Sequence, residues 1–351
     1  MGNKNLHNAK MAKNDEFYTQ YPDIQKEIDA YLEYDPNVFK DKTILLPCDD
    51  PEWSNFTKFF AQNFEKFGLK KLISTCYVNT KQIYLNNDCL QDFNSHGKIL
   101  VITKENLNSK WQYLKGNGDF RSSEIKALRD ESDFIITNPP FSLFREFVSW
   151  IFESNKKFLI IGSMNAVTYK KVFPLIKDNK MWLGKGFKSR VGYFINKFYT
   201  DYATASDHKE GMIRVPCVVW FTNIEHGIKH KPLSLLTMSD NLKFNKKLKN
   251  PKYQNIYKKY DNYDAIEIPL TDAIPSDYDG VMGVPITFLD KYCPEQFEIL
   301  GITQRNDDPY KIKRYTNNEY KNTNDLNARA TILNNGIPKS LFPRILIRKI
   351  K

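Results

Sequence analysis

Residues 133–144 read DFIITNPPFSLF, and the architecture around them follows from this stretch. A short apolar run, typical of a buried strand, leads directly into an Asn-Pro-Pro-Phe segment. Two consecutive prolines fix φ and remove two backbone N–H donors, so regular hydrogen bonding cannot continue through them. Apolar residues at helical spacing resume at Leu143 and Phe144. The stretch therefore predicts a strand, a rigid turn and a helix in succession.

Similar short apolar runs occur on both sides of this stretch, separated by segments of helical periodicity. Strands that alternate with helices are typical of a parallel sheet, so an α/β fold is predicted. In such sheets ligands bind beyond the carboxyl ends of the strands, so the loops after residues 48, 77 and 137 are expected to line one site. The predicted strands are 43–48, 71–77, 133–137, 157–162 and 215–222. A stripe of core phenylalanines is predicted between the first two strands, at Phe56, Phe59, Phe60, Phe64 and Phe67.

The residues after the strand suggest a trap for an amino group. The Asn138 side chain and the Pro139 backbone each offer a carbonyl oxygen, and two such acceptors can hold the two hydrogens of an amine. The ring of Phe141 is then placed to stack on a base swung out of a duplex. The alternative is that Asn138, Pro139, Pro140 and Phe141 form only a turn.

The Asn-Pro-Pro-aromatic segment resembles motif four of the amino-group methyltransferases. Three further segments stand in the order of the gamma arrangement: DEFYTQYPDI at 15–24, CDDPEWSNF at 48–56 and GDFRSSE at 118–124. With these, the chain resembles the EcoRI-type adenine-specific DNA methyltransferases from about Asn14 to the closing FPRILIRK. The resemblance implies a Rossmann-like S-adenosylmethionine-dependent methyltransferase sheet with an added DNA-recognition region.

The resemblance also implies which residues bind S-adenosyl-L-methionine. In the motif before the sheet, Phe17 and Tyr18 are expected to pack on the cofactor, and the alternative is a hydrophobic staple for the following helix. Asp119 is expected to meet the adenine amine of the cofactor, and the alternative is a surface turn. The full set of expected cofactor residues is Phe17, Tyr18, Thr19, Cys48, Asp49, Asp50, Pro51, Asp119, Phe120 and Asn138.

Two departures from the wider methyltransferase pattern stand out. The first loop has no glycine, so Asp49 or Asp50 is expected to accept from the methionine ammonium, whereas Asp50 alternatively caps a helix. The second strand ends in Ser74-Thr75-Cys76 where an acid usually holds the ribose.

The charge of the chain points to a polyanionic partner, because Lys and Arg total 52 against 41 Asp and Glu. Residues 241–263 hold seven Lys, four Tyr and one acid. This segment is expected either to contact nucleic-acid phosphates, with Tyr stacking or bonding beside them, or to be a solvated loop.

Several classes of protein are disfavoured. The five cysteines form no CxxC pair and the five histidines no ligand spacing, so neither disulfides nor a metal site is expected. No apolar run approaches the length that spans a bilayer, and a soluble, cytoplasmic protein is expected.

We expect three parts: a mobile arm at 1–13, a methyltransferase catalytic domain at 14–224, and a DNA-recognition region at 225–351 with some return to the core. The predicted reaction is site-specific methylation of adenine N6 in double-stranded DNA, with the base flipped out. The alternatives are RNA or protein-glutamine N-methylation, or a catalytically dead DNA-binding relative. The resemblance implies a restriction-modification setting, a companion restriction endonuclease that does not bind stably, and a short palindromic site such as GAATTC.

Overall fold

The computed structural model describes residues 18–78, 96–195, 212–250, 255–304, 310–316, 320 and 323–350. The chain divides into two compact units. The first unit comprises Met1–Ser163 and Met181–Gly227, and the second comprises Met164–Lys180 and Ile228–Lys351. The functional division at residues 224 and 225 stays a prediction, and the arm predicted at 1–13 lies outside the described residues.

The first unit is built around an eight-stranded mixed sheet with the strand order β5-β4-β3-β2-β6-β7-β11-β8. Its centre is parallel, because β2 pairs in parallel with both β3 and β6, and β6 pairs in parallel with β7. Strands β4, β5, β8 and β11 run antiparallel to their neighbours. The bounds are β2 Thr43–Leu46, β3 Lys71–Cys76, β4 Lys98–Thr103, β5 Gln112–Tyr113, β6 Phe134–Thr137, β7 Lys157–Ser163, β8 Trp182–Leu183 and β11 Val218–Thr222. The α/β prediction is confirmed.

A small antiparallel sheet accompanies the large one in the first unit. Its order is β1-β9-β10, with bounds Tyr18–Thr19, Val191–Ile195 and Ile213–Pro216. The pairing of Tyr18 with Ile195 and of Thr19 with Phe194 fixes the segment that precedes the first helix.

Four helices of the first unit supply apolar faces to its core. They are α1 Tyr21–Tyr34, α2 Asn55–Gln62, α3 Ser123–Glu131 and α4 Phe144–Phe152. All five phenylalanines of the predicted stripe are buried in one cluster with residues of the central strands. Their rings meet mostly edge to face, as Phe59 and Phe60 do at 5.3 Å between centroids. The stripe is therefore core, as predicted.

The second unit holds a four-stranded sheet with the order β12-β13-β17-β14 and a separate two-stranded ribbon, β15-β16. The strands are β12 Ile266–Glu267, β13 Met282–Pro285, β14 Phe297–Ile302, β15 Thr331–Asn334, β16 Ile337–Ser340 and β17 Arg344–Lys349. The helices are α5 Phe173–Lys177, α6 Met238–Phe244 and α7 Thr323–Ala328.

Two tyrosines of the Lys-Tyr segment, residues 241–263, are buried inside the second unit. Tyr260 and Tyr263 are buried in its core cluster, and the Tyr260 hydroxyl donates to the Glu267 carboxylate. Glu267 also receives two-pronged hydrogen bonds from the Arg344 guanidinium. The expectation that Tyr260 and Tyr263 stack beside DNA was therefore wrong, because a buried ring cannot reach a nucleic acid. Tyr253 lies outside the described residues.

Two absences can be stated for the residues that the structure describes. None of their helices combines the length and apolar character that a membrane crossing requires. They also contain no group of three or more His, Cys, Asp or Glu arranged to hold a metal ion.

Candidate active site

The loops that follow three neighbouring parallel strands meet at one edge of the large sheet. The loop after β2 begins at Pro47, the loop after β3 at Tyr77, and the loop after β6 at Asn138. Because β3, β2 and β6 are adjacent and parallel, their carboxyl ends lie side by side. The predicted convergence of these loops is thus present in the structure.

A pocket opens at this edge and encloses about 540 Å³, including the part open to solvent. Four of the predicted site residues line it, namely Cys48, Asp119, Phe120 and Pro140. The other lining residues are Pro47, Tyr77, Gly118, Arg121, Ser142 and Leu143.

The Asp119 carboxylate is held in place at the pocket wall by Arg121. The Arg121 guanidinium donates from Nε to Oδ1 at 2.9 Å and from Nη2 to Oδ2 at 2.7 Å. The loop before Asp119 is fixed by Glu124, whose carboxylate accepts from the backbone N–H groups of Lys115 and Gly116. This carboxylate therefore has a defined direction.

Gly118 and Phe120, on either side of Asp119, explain the path of this loop. Gly118 has φ of +80°, and a Cβ there would collide with the Cys76 carbonyl of β3. Phe120 is buried and packs edge to face on Phe147 and Trp150 of α4. The loop is thus clamped between a strand end and a helix while its carboxylate stays at the pocket.

Asp49, the first acid after β2, is buried beneath the loops. Its Oδ1 accepts from the Ser54 hydroxyl and its Oδ2 from the Thr137 hydroxyl, each at 2.6 Å. Burial raises the pKa of this carboxyl from 3.8 to about 7, although the two hydrogen bonds oppose the rise. Both oxygens thus bond to hydroxyls of the chain, a structural task that the sequence did not reveal. A contact between Asp49 and a ligand's ammonium stays a prediction.

Asp50 closes a turn in front of α2. Its Oδ1 accepts from the backbone N–H groups of Glu52 at 2.8 Å and Trp53 at 3.2 Å, across Pro51. The helix itself is capped by Ser54, whose hydroxyl accepts from the Phe56 N–H. The alternative that Asp50 caps the helix is therefore wrong, because Asp50 stabilises the preceding turn and Ser54 is the N-cap.

Asn138 is buried, with 6% of its surface exposed, at the end of β6. Its Nδ2 donates to the Thr19 hydroxyl at 3.4 Å, and Asn55 donates from its amide to the Thr19 carbonyl at 2.8 Å. Thr19 therefore joins the segment before α1 to the Asn-Pro-Pro-Phe turn, across 119 positions of sequence. Tyr18 beside it is half-buried, and Phe17 lies outside the described residues.

The three residues after Asn138 have different surroundings. Pro139 is buried, Pro140 lines the pocket, and half-buried Phe141 packs against the edge of the main core cluster. Phe141 also begins a single 3₁₀ turn, closed by a hydrogen bond from the Leu143 N–H to the Pro140 carbonyl. This turn leads directly into α4.

The hydroxyls that replace the usual ribose-binding acid bond to the chain. Ser74 Oγ donates to the Asp49 carbonyl at 2.6 Å, and Thr75 Oγ1 donates to the Pro47 carbonyl at 3.2 Å. These bonds tie β3 to the loop after β2.

The sequence did not single out Arg121, Gly118 or Leu143 as pocket residues. The spacing GDFRSSE carried a signal for Arg121, since a cation two residues after an acid can bond back to it.

Comparison with known proteins decides the family. A family model described as adenine-specific methyltransferase EcoRI matches residues 5–350. The chain belongs to this family. It is similar to the type II methyltransferase M.EcoRI of Escherichia coli, with 45% identity over 312 residues that cover 85% of this chain and 89% of the relative. It is also similar to M.MpnI of Mycoplasma pneumoniae, with 36% identity over 300 residues and 83% of each chain covered. No solved structure matches the chain.

As a member of the EcoRI family, the chain is an adenine-specific DNA methyltransferase of the type II restriction-modification class. The predictions of the family, the reaction and the enzyme class are confirmed. Type II methyltransferases in general use S-adenosylmethionine as the methyl donor.

Proposed function

We propose that the pocket beside Asp119 binds S-adenosyl-L-methionine and that Asn138 and the Pro139 carbonyl hold the target adenine. The proposal rests on the position of the turn after β6, which holds Asn138 and also forms part of the pocket wall. The turn that begins at Asn138 contributes Pro140 to the wall of the pocket whose rim carries Asp119. An amine held at Asn138 would therefore lie next to a cofactor in that pocket.

The lining of the pocket suits this cofactor. Apolar surfaces from Phe120, Pro140 and Leu143 suit an adenine ring, and the fixed Asp119 carboxylate can accept from an exocyclic amine. The path of Gly118, where a Cβ would strike the next strand, keeps this part of the loop close to the sheet. When bound, the cofactor supplies a methyl group on a positively charged sulfur. We also assign to it the predicted contacts from Cys48, Asp50 and Pro51 and from Phe17, Tyr18 and Thr19.

The chain's part in the reaction is to position the acceptor amine and to exclude water. The Asn138 and Pro139 carbonyls accept from the two amine hydrogens, which favours a tetrahedral nitrogen with its lone pair directed outward. Thr19 fixes the Asn138 amide, and Asp49 fixes Thr137 directly before it. Phe141 stacks on the flipped base. Positioned dipoles in a dry site are the main source of rate for such a transfer, and no enzyme nucleophile is needed.

The setting is proposed from the family. We infer that a companion restriction endonuclease cuts the same unmethylated site without binding this chain stably. The site is a short sequence, with a palindrome such as GAATTC as the first to test. The enzyme acts in the cytoplasm, where cellular DNA and the methyl donor are available.

The test is to incubate the purified chain with unmethylated genomic DNA and S-adenosylmethionine and to map modified bases by single-molecule sequencing. N6-methyladenine at one short motif is expected. In parallel, Asn138→Ala is expected to abolish methylation while cofactor binding, measured by calorimetry, is retained. Asn63→Ala is the matched control, because among the described residues that side-chain amide bonds only to the Phe59 carbonyl of α2, the helix that Asn63 directly follows. Near-normal turnover by Asn138→Ala would overturn the assignment of the acceptor.

A further inference from the structure

The ribbon formed by residues 331–340 is a sheet of two strands. Among the strands that the structure describes, β15 and β16 pair only with each other. They are joined through Asn335 and Gly336, whose φ values are +50° and +77°. Two consecutive residues with positive φ form the tight turn that suits the twist of a two-stranded hairpin. The base of the ribbon is anchored, since Thr331 donates its N–H to Asn262 and Leu341 donates its N–H to Ala330. The tip extends beyond these anchors.

One face of the 331–340 ribbon continues a cavity in the second unit. Ile332 is paired across the ribbon with Lys339, and Asn334 with Ile337. Side chains alternate along a strand and cross-strand partners share a face, so these four side chains lie on the same face. Ile332 and Lys339 line a cavity of about 1,130 Å³, including the part open to solvent. The face therefore runs from that cavity to Asn334 and Ile337 at the tip.

This surface exposes large apolar side chains. Ile337 is 70% exposed, and two residues that line the cavity, Phe342 and Ile256, are 79% and 51% exposed. Large apolar groups gathered on one exposed surface are a mark of an interaction site. An isolated two-stranded hairpin is also marginal in water, so a partner would stabilise the tip.

The charges around the cavity select the partner. Four cationic side chains and one acidic side chain line it. Arg344 is neutralised by Glu267, and Arg329 lies 3.8 Å from Asp325, but neither Lys258 nor Lys339 forms an ion pair with any described residue. The one acidic side chain of the lining, Glu267, is already paired with Arg344, so the two lysine charges remain available to the phosphates of a nucleic acid.

We propose that the 331–340 ribbon enters the major groove of double-stranded DNA and contributes to reading the methylation site. The major groove admits a two-stranded β-ribbon, and an asparagine can bond to the edge of adenine there. In this arrangement Asn334 and Ile337 face the base edges, while Lys339 and Lys258 meet the flanking phosphates. The inference rests on the proposed function, since it names the element by which the same enzyme selects its site.

The test compares three variants of the full chain. Each is bound to a fluorescent duplex that carries, unmethylated, the motif at which the unchanged chain places N6-methyladenine. Removal of one phosphate contact is expected to reduce the slope of log affinity against log salt by about 0.9. We expect this change for Lys339→Ala and not for Lys70→Ala, the matched control. Lys70 is exposed directly before β3, at the sheet edge opposite the pocket. We expect Asn334→Ala to lower the preference for the motif over a single-base variant by about 5-fold to 150-fold, the range for one base contact.

The outcomes separate this inference from the proposed function. Failure of the proposed function would appear as near-normal methylation by Asn138→Ala, a result that does not involve the ribbon. If the unchanged chain methylates DNA but Lys339→Ala keeps the full salt slope, the ribbon does not lie against the DNA backbone and the inference is overturned. An unchanged base preference in Asn334→Ala would overturn its reading role. Melting temperatures of all variants are compared to confirm that each is folded, and all three side chains are exposed.

Discussion

Replacing Asp49 by Asn should make the stability of the first unit less dependent on pH between about 4 and 7. The carboxyl is 4% exposed and accepts from Ser54 and Thr137 at 2.6 Å each. An Asn side chain of nearly the same shape can serve both hydroxyls, because each hydroxyl can donate or accept. The substitution therefore removes the ionisation and keeps the links.

The direction of the effect follows from the pKa of Asp49, which burial raises from 3.8 to about 7. A group that binds its proton more tightly in the folded protein contributes stability that is complete at low pH. That stability is lost progressively as the pH rises from 3.8 to the folded-state pKa of about 7, and no more is lost above it. At about 1.36 kcal/mol per pKa unit the whole shift corresponds to about 4 kcal/mol. About 3 kcal/mol of it is lost between pH 5 and pH 8.

The assay is urea unfolding of the unchanged protein and of Asp49→Asn at pH 5, 6, 7 and 8. The free energy of unfolding of the variant, relative to the unchanged protein, should rise by about 3 kcal/mol across this range. Asp41→Asn is a control, because the Lys104 ammonium lowers the pKa of that exposed carboxyl and its removal cannot give the same trend. A difference between the two proteins that stays constant from pH 5 to pH 8 would refute the reasoning.

Three further substitutions test other contacts. Gly118→Ala should destabilise the protein by about 1–3 kcal/mol in urea unfolding, because φ is +80° and the added Cβ meets a strand carbonyl; an unchanged midpoint would contradict this. Arg121→Ala should weaken cofactor binding about fivefold in calorimetry and leave stability unchanged, because Asp119 loses its charged hydrogen bonds. Equal affinity would show that Arg121 is not needed to orient Asp119. Glu267→Gln should lower the free energy of unfolding by about 3–5 kcal/mol, because it leaves the Arg344 charge buried and unbalanced; a loss below 1 kcal/mol would count against this.

The strands that position the site could be predicted because each is a short apolar run. The runs at 43–48, 71–77, 133–137 and 157–162 match β2, β3, β6 and β7 closely. The run at 215–222 proved to be the end of β10 and then β11, separated by Cys217 with φ of +58°. Strand β4 was missed, although KILVIT is also apolar. It lies antiparallel to β3, outside the alternating pattern of parallel strands and helices on which the prediction was based.

The sequence motifs of the site could be predicted, but the hydrogen bonds that join them could not. The Asn-Pro-Pro-Phe turn and Asp119 could be found because each motif is local. Asp49 could not be assigned from its neighbours, because its partner Thr137 lies 88 positions away and only the sheet brings the two together. The same is true of Thr19 and Asn138. Sequence spacing can reveal hydrogen bonds between residues that are close along the chain. It cannot reveal those of a buried polar network, whose members are brought together only by the fold.

The position of β17 in the second unit has a consequence for how this protein is made. Residues Arg344–Lys349 pair with β13 on one side and with β14 on the other. Both neighbouring strands therefore leave the ribosome before the strand that must lie between them. The sheet cannot close until Arg344–Lys349 have been made, and until then β13 and β14 both lack the strand that pairs with them. A nonsense mutation before Arg344 would spare every residue of the proposed active site and still leave the second unit without its central strand.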